Sequence, residues 1–60
     1  MNTEIYNMKT NESVWVESAA LARLALGGEW FAIMPGSWLV YHGDSSVDAE
    51  PSYSVFEDNR

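Results

Sequence analysis

The stretch Ser18-Ala19-Ala20-Leu21-Ala22-Arg23-Leu24-Ala25-Leu26-Gly27-Gly28 decides the fold, because it is the strongest helix-forming segment of the chain. Ser18 is a favoured N-cap residue, and Gly27 suits the left-handed position that follows a helix. Leu21 and Leu24, three residues apart, begin an apolar stripe. We therefore predict a short helix here, with Leu21 and Leu24 buried.

Two strands are predicted before this helix. Glu4 to Lys9 alternates weakly, and Ser13 to Glu17 is β-branched and aromatic, as strands often are. Thr10-Asn11 lies between them and indicates a turn, since Asn tolerates positive φ. An alternative stays open in which the helix begins as early as Glu12, because apolar positions upstream of the predicted N-cap also fall on helical spacing.

A hairpin is predicted after the helix. Glu29 to Met34 and Ser37 to His42 are strand-like runs on either side of Pro35-Gly36, a turn dipeptide. Residues 44–52 are polar and acidic and indicate a loop. Tyr53 to Phe56 either returns as a short fifth strand at an edge of the sheet or stays outside it. The predicted fold class is α+β, with one short helix packed on a small antiparallel sheet in the order β-β-α-β-β.

The size of the chain predicts a single small domain over residues 1–60. The chain has no cysteine, so neither a disulfide nor a thiolate metal site can brace it. Yet 47% of the residues are hydrophobic, which is generous for one thin core. Either the core is unusually well filled, or a partner covers part of the apolar surface.

The charge balance argues against direct nucleic-acid binding. Three Lys and Arg residues stand against nine Asp and Glu residues, for a net charge of −6. Binding to phosphate backbones needs several cations, which this chain lacks. The opposite relation is favoured, in which acidic side chains pair with the basic groove of a protein that holds nucleic acid. The simpler interpretation is that the acids only keep a small apolar protein in solution.

No pattern in the sequence indicates an enzyme. His42 is the only histidine, and no nucleophile elbow or phosphate-binding loop is present. Asp44, Asp48 and Glu50 do not follow the spacing of a calcium-binding loop. We predict no catalytic residue, no metal site and no cofactor.

The sequence also bears on location. We expect neither a signal peptide nor a membrane span, because the N-terminal residues are polar and no apolar run approaches the length that crosses a bilayer. We expect the cytoplasm, and the host cytoplasm if the chain is encoded by a phage.

The predicted hairpin is apolar on both of its faces. We expect the helix to cover the face with Phe31, Ile33 and Leu39, which leaves the face with Trp30 and Trp38 exposed. Such a patch usually marks an interface. In the alternative, the C-terminal segment folds back and covers it. The predicted partner-binding residues are three aromatic residues of the hairpin and three acids of the segment that follows it: Trp30, Trp38, Tyr41, Asp44, Asp48 and Glu50.

Residues 14–26, a strand that enters an Ala-rich helix, are followed by Gly36-Ser37-Trp38-Leu39-Val40-Tyr41. This layout, over residues 13–42, resembles small phage-encoded inhibitors, namely some type I anti-CRISPR proteins and a short inhibitor of bacterial RNA polymerase. The resemblance lies in the architecture and implies no particular site residue. It implies a protein that binds a large nucleic-acid machine and blocks its substrate path or its assembly.

Two functions from different classes therefore remain. The first is a non-enzymatic inhibitor of a host nucleic-acid-processing machine, either a CRISPR effector complex or RNA polymerase, which binds the basic groove of that machine. The second is a small structural or adaptor subunit, or a homodimeric interaction module, without an inhibitory role.

Overall fold

The computed structural model describes residues 2–43 and 50–58. These residues form five strands and one helix: β1 (Thr3–Asn7), β2 (Glu12–Val16), α1 (Ala19–Leu26), β3 (Glu29–Met34), β4 (Ser37–Tyr41) and β5 (Tyr53–Glu57). All five strands join one antiparallel sheet in the order β2-β1-β5-β4-β3. The predicted α+β class, with a helix packed on an antiparallel sheet, is confirmed. Most of the predicted acidic loop lies outside the described residues.

The C-terminal segment forms the fifth strand, and it lies in the centre of the sheet. The prediction of an edge position was wrong, because β5 pairs with β1 on one side and with β4 on the other. Further backbone hydrogen bonds hold both of its ends: Ser52 N–H donates to the Val40 carbonyl at 2.7 Å, and Glu57 N–H donates to the Gly36 carbonyl at 2.7 Å. Within the sheet, the β1–β2 hairpin and the β3–β4 hairpin are therefore hydrogen-bonded to β5 and not to each other.

Local side chains explain the two hairpin turns. The Asn7 carboxamide oxygen accepts the backbone N–H groups of Lys9 at 2.9 Å and Thr10 at 3.2 Å, and Asn11 takes a φ of 62°. At the second turn Pro35 precedes Gly36, whose φ is 82°. This is the arrangement of a type II turn, in which the third residue needs positive φ.

The helix begins and ends where the sequence predicts. The Ser18 hydroxyl accepts the N–H of Leu21 at 3.2 Å, which makes Ser18 the N-cap. Gly27 follows the last turn with a φ of 62°, and its N–H donates to the Arg23 carbonyl at 2.9 Å. The alternative of a helix that begins at Glu12 was wrong, because residues 12–16 pair with β1 along their whole length.

The buried stripe of α1 is not the one that was predicted. Ala22 is fully buried, whereas Leu21 is 47% exposed and Leu24 is 83% exposed. Ala19, Ala22 and Leu26 lie at spacings of three and four, which also makes a helical stripe. Alanine has a small side chain, so this stripe lets the helix axis approach the sheet closely.

The core lies between α1 and one face of the sheet, which we call the helix face. Its fully enclosed side chains come from three neighbouring elements of the sheet and from the helix: Ile5, Ala22, Val40 and Val55. Trp30 and Trp38 pack against this cluster. The helix therefore lies on the side of the sheet that carries Trp30 and Trp38, opposite to the predicted side. Phe31, Ile33 and Leu39 are not its core partners.

This arrangement predicts opposite effects for two apolar truncations. Val55→Ala should lower the free energy of unfolding by about 1.5–3 kcal/mol, because it leaves a cavity beneath the helix. Leu24→Ala, on the solvent side of α1, should change it by less than about 0.5 kcal/mol. Urea unfolding followed by circular dichroism measures both values. A Leu24→Ala loss as large as that of Val55→Ala would contradict the packing described here.

Candidate functional site

The two tryptophans predicted as exposed anchors lie on the helix face of the sheet. Trp30 and Trp38 are partly buried against the core cluster, with ring centroids 5.9 Å apart. Trp30 pairs with Val40 across the β3–β4 ladder, and Trp38 pairs with Val55 across the β4–β5 ladder. Paired residues share one face of a sheet, so both indoles point to the buried side. Their predicted placement on the uncovered face was wrong.

Polar contacts at the end of α1 attach the helix to this face. The Trp30 Nε1–H donates to the Gly27 carbonyl at 2.8 Å, and Arg23 lies 4.8 Å from the indole centroid. The Nε2–H of His42 donates to the Leu26 carbonyl at 2.6 Å. These bonds satisfy carbonyl groups that a helix C-terminus leaves unpaired, so the histidine has a structural role.

Gly28 makes that attachment possible. Its φ is +78°, and a Cβ placed there would lie 2.7 Å from the Tyr41 carbonyl oxygen and 2.8 Å from His42 Nε2. Only glycine leaves room for the histidine ring at this position. The turn from α1 into β3 is therefore fixed by a close approach of backbone and ring, and this turn decides which face of the hairpin meets the helix.

The uncovered side of the sheet, which we call the open face, is where the largest exposed aromatic side chains lie. Trp15 is 45% exposed, Phe31 is 54% exposed and Phe56 is 46% exposed. The strand registers place eight further residues on this face: Glu4, Tyr6, Ser13, Glu29, Ser37, Leu39, Tyr41 and Ser54. An apolar and aromatic surface of this kind on a small domain is typical of a binding site.

One cross-strand row of the open face places a carboxylate between two aromatic rings. Glu4 pairs with Trp15 of β2 on one side and with Phe56 of β5 on the other. Directly opposed residues of neighbouring antiparallel strands have Cβ atoms about 5 Å apart. The acid of Glu4 is therefore flanked on both sides by half-exposed aromatic side chains.

A second group occupies the far end of the open face. Phe31 and Tyr41 meet edge to face with ring centroids 5.3 Å apart, and Glu29 pairs with Tyr41 across the β3–β4 ladder. Tyr41 is thus on the open face, and the binding role predicted for it stays a prediction. Its companions there are Phe31 and Glu29, in place of the two tryptophans.

Of the three acids predicted to bind a partner, the structure describes only Glu50. Asp44 and Asp48 lie outside the described residues, and Glu50 is exposed next to Pro51. Glu50 and Pro51 line a shallow depression together with Met8. The binding roles predicted for these acids stay predictions.

Sequence alternation in the first two strands predicts which residues lie on the open face, but the prediction from the β3–β4 hairpin was made without it. In β1 and β2, Glu4 and Trp15 alternate with inward-facing apolar residues, so they had to share the side away from the core once those strands were paired. In β3 and β4 both faces are apolar, and alternation alone does not say which one the helix covers.

The described ranges, residues 2–43 and 50–58, contain no group of three or more His, Cys, Asp or Glu side chains that could hold a metal ion. Among the same residues, no helix has the length and apolar character needed to cross a membrane. No protein-family model matches the chain, and no curated protein or solved structure shows significant similarity to it.

The two faces predict a contrast between tryptophans. Trp38→Ala should destabilise the fold by about 2–4 kcal/mol, because the indole packs against the core. Trp15→Ala, at the edge strand of the open face, should cost about 1 kcal/mol or less. Thermal unfolding of the two variants beside the wild type measures the difference. Equal destabilisation would mean that the open face contributes to stability as much as the core does.

Proposed function

We propose that the protein is a non-enzymatic binding protein of the cytoplasm that inhibits a nucleic-acid-processing machine of the host, a CRISPR effector complex or RNA polymerase. Its open face docks on the machine and blocks the nucleic-acid-binding groove or the assembly of the complex. The observation that carries this proposal is the half-exposed aromatic surface that Trp15, Phe31 and Phe56 form on a chain of net charge −6.

The composition of the open face supports a protein partner. Aromatic side chains bring a large contact area at a small cost in side-chain entropy, and they dominate the energetics of interfaces. None of the five described strands contains Lys or Arg. The face therefore offers apolar anchoring and negative charge, which suit a basic protein groove and oppose phosphate backbones. We accordingly propose that the chain has no affinity of its own for nucleic acid.

The alternative is a structural or adaptor subunit, or a homodimer, that uses the same surface. The half-exposed rings favour an interface of some kind and do not by themselves require inhibition. The two proposals differ in the consequence of binding: an inhibitor displaces nucleic acid from its partner, and an adaptor does not.

The inhibitor proposal is tested with affinity-tagged protein in lysate of a bacterial host. The captured complex should be a nucleic-acid machine, and added protein should abolish its binding to labelled DNA. Phe31→Ser should weaken this inhibition by about tenfold or more, since it removes an exposed aromatic anchor. Leu24→Ser is the matched control, because it also replaces an exposed apolar side chain with serine, but on the helix surface.

Two outcomes contradict the proposal. In the first, the captured complex binds DNA at full strength when saturated with the protein, which favours the adaptor. In the second, Leu24→Ser weakens inhibition as much as Phe31→Ser does, which places the interface on the helix.

The acidic segment makes a separate prediction. Reversal of Asp44, Asp48 and Glu50 to lysine should slow association with the captured complex and weaken its dependence on salt, because rim charges act mainly on the rate of encounter. Binding kinetics at low and high salt measure this, with circular dichroism as the folding control. Unchanged kinetics at both salt concentrations would mean that these acids only keep the protein in solution.

A further inference from the structure

We propose that the open face recognises arginine side chains of its partner, and that the row of Trp15, Glu4 and Phe56 is a guanidinium-binding site. This inference rests on the proposed function, since it names the chemistry that the same face would bind. It goes further by assigning a ligand group to three particular side chains.

The first step is geometric. Glu4 lies in the middle of a three-strand row, with Trp15 on β2 and Phe56 on β5 as its direct cross-strand neighbours. Both rings are close to half exposed, and Glu4 is partly buried between them. A cation bound to the Glu4 carboxylate is therefore within reach of an aromatic ring on either side.

The second step is chemical. A guanidinium group is planar, stacks on aromatic rings and donates two parallel hydrogen bonds to a carboxylate. The ammonium group of lysine is a strongly hydrated point charge, so it gains less from the rings. A carboxylate with an aromatic ring on each side thus favours arginine over lysine through both components of the contact.

The chain makes one half of this contact within itself. On the helix side, Arg23 lies 4.8 Å from the centroid of the Trp30 ring. That guanidinium contacts an indole, but it lies on the other side of the sheet from the Glu4 carboxylate. On the open face an indole and a carboxylate are adjacent, and the described part of the chain places no arginine on that face.

The second aromatic and acidic group repeats the chemistry at the other end of the face. Glu29 pairs with Tyr41, and Tyr41 contacts Phe31 edge to face. Three strand spacings separate β1 from β3, which is about 14 Å across the sheet, and the registers offset Glu4 from Glu29 by four residues, about 13 Å, along the strands. The two groups are therefore about 19 Å apart, close to the span of six residues of extended chain. A basic segment with two arginines can therefore engage both groups in one bound conformation.

Charge complementarity favours this occupant over a second copy of the chain. A face-to-face dimer would bring together two bodies of net charge −6, with Glu4 and Glu29 of each copy in the contact. Neither described cation can compensate on this surface, because Lys9 lies in the β1–β2 turn and Arg23 lies on α1. Like charges that face each other across an interface destabilise it.

The test is an NMR titration of ¹⁵N-labelled protein with a Gly/Ser peptide that carries two arginines six positions apart. Identical peptides with lysine or with uncharged citrulline in place of arginine are the comparison probes. The arginine peptide should shift the Trp15 indole resonance and the amides of Glu4 and Phe56. The lysine peptide should bind at least about threefold more weakly, and the citrulline peptide should give no saturable shift.

Glu4→Gln and Glu12→Gln are the matched variants. Each removes one negative charge, but Glu12 lies on the edge strand with its partner Asn7 on the helix face. Glu4→Gln should weaken the arginine peptide by about threefold or more, and Glu12→Gln should have less than half of that effect. Equal losses in the two variants, or equal affinities for the arginine and lysine peptides, would overturn the guanidinium site and leave only general charge attraction.

The remaining outcomes separate this inference from the proposed function. If Phe31→Ser abolishes inhibition of the captured complex but no peptide shifts the Trp15 indole, arginine recognition is wrong and the binding face stands. If sedimentation equilibrium shows a dimer whose formation Trp15→Ala prevents, the second copy is the occupant and both proposals are wrong.

Discussion

The central position of β5 is the constraint on which the rest of the structure depends. The β1–β2 and β3–β4 hairpins share no ladder with each other, and each pairs with β5 instead. Val55 of this strand is fully buried against the helix, while its neighbour Phe56 points the other way. A single five-residue strand therefore completes the backbone hydrogen bonding of the sheet, supplies the middle of the core and supplies an aromatic ring of the open face. A chain of this size has little surface to bury, so one strand serves all three purposes.

The thin core explains why so much aromatic surface is left over. One helix of eight residues covers only part of one face of the sheet: it packs over β1, β2 and β5, with the fully buried Ala22 against the core. The sheet has a second face of the same area, and no other described element lies on it. A soluble domain would ordinarily place polar residues there. Here Trp15, Phe31 and Phe56 lie there instead, each about half exposed, and this exposure is the physical basis for the proposal that they bind a partner.

The sequence predicts local structure well and long-range placement poorly. Ser18 and Gly27 mark the ends of the helix because capping is a contact between residues three or four apart, and Pro35-Gly36 marks a turn for the same reason. The prediction of which hairpin face meets the helix was wrong. Both faces of the hairpin and two stripes of the helix are apolar, so periodicity allows either face to pack on either stripe. The choice is made by contacts across the fold, such as Trp30 with Gly27 and His42 with Leu26. The central place of β5 likewise depends on pairings with strands far away in the chain, which have no local signature.

The open face carries two acids of its own, Glu4 and Glu29, in addition to the acids predicted at 44–50. An acidic side chain that is ordered only when it binds costs conformational entropy at that step. Glu4 and Glu29 lie on paired strands, so the ladder sets the distance from the Cβ atom of each acid to those of its aromatic neighbours before any partner arrives. A carboxylate beside aromatic rings selects a cation by shape as well as by charge, whereas charge alone mainly accelerates the encounter. We therefore propose successive roles for the two sets of acids: the negative charge at 44–50 speeds the encounter with a basic surface, and Glu4 and Glu29 on the open face select which side chains of that surface are held.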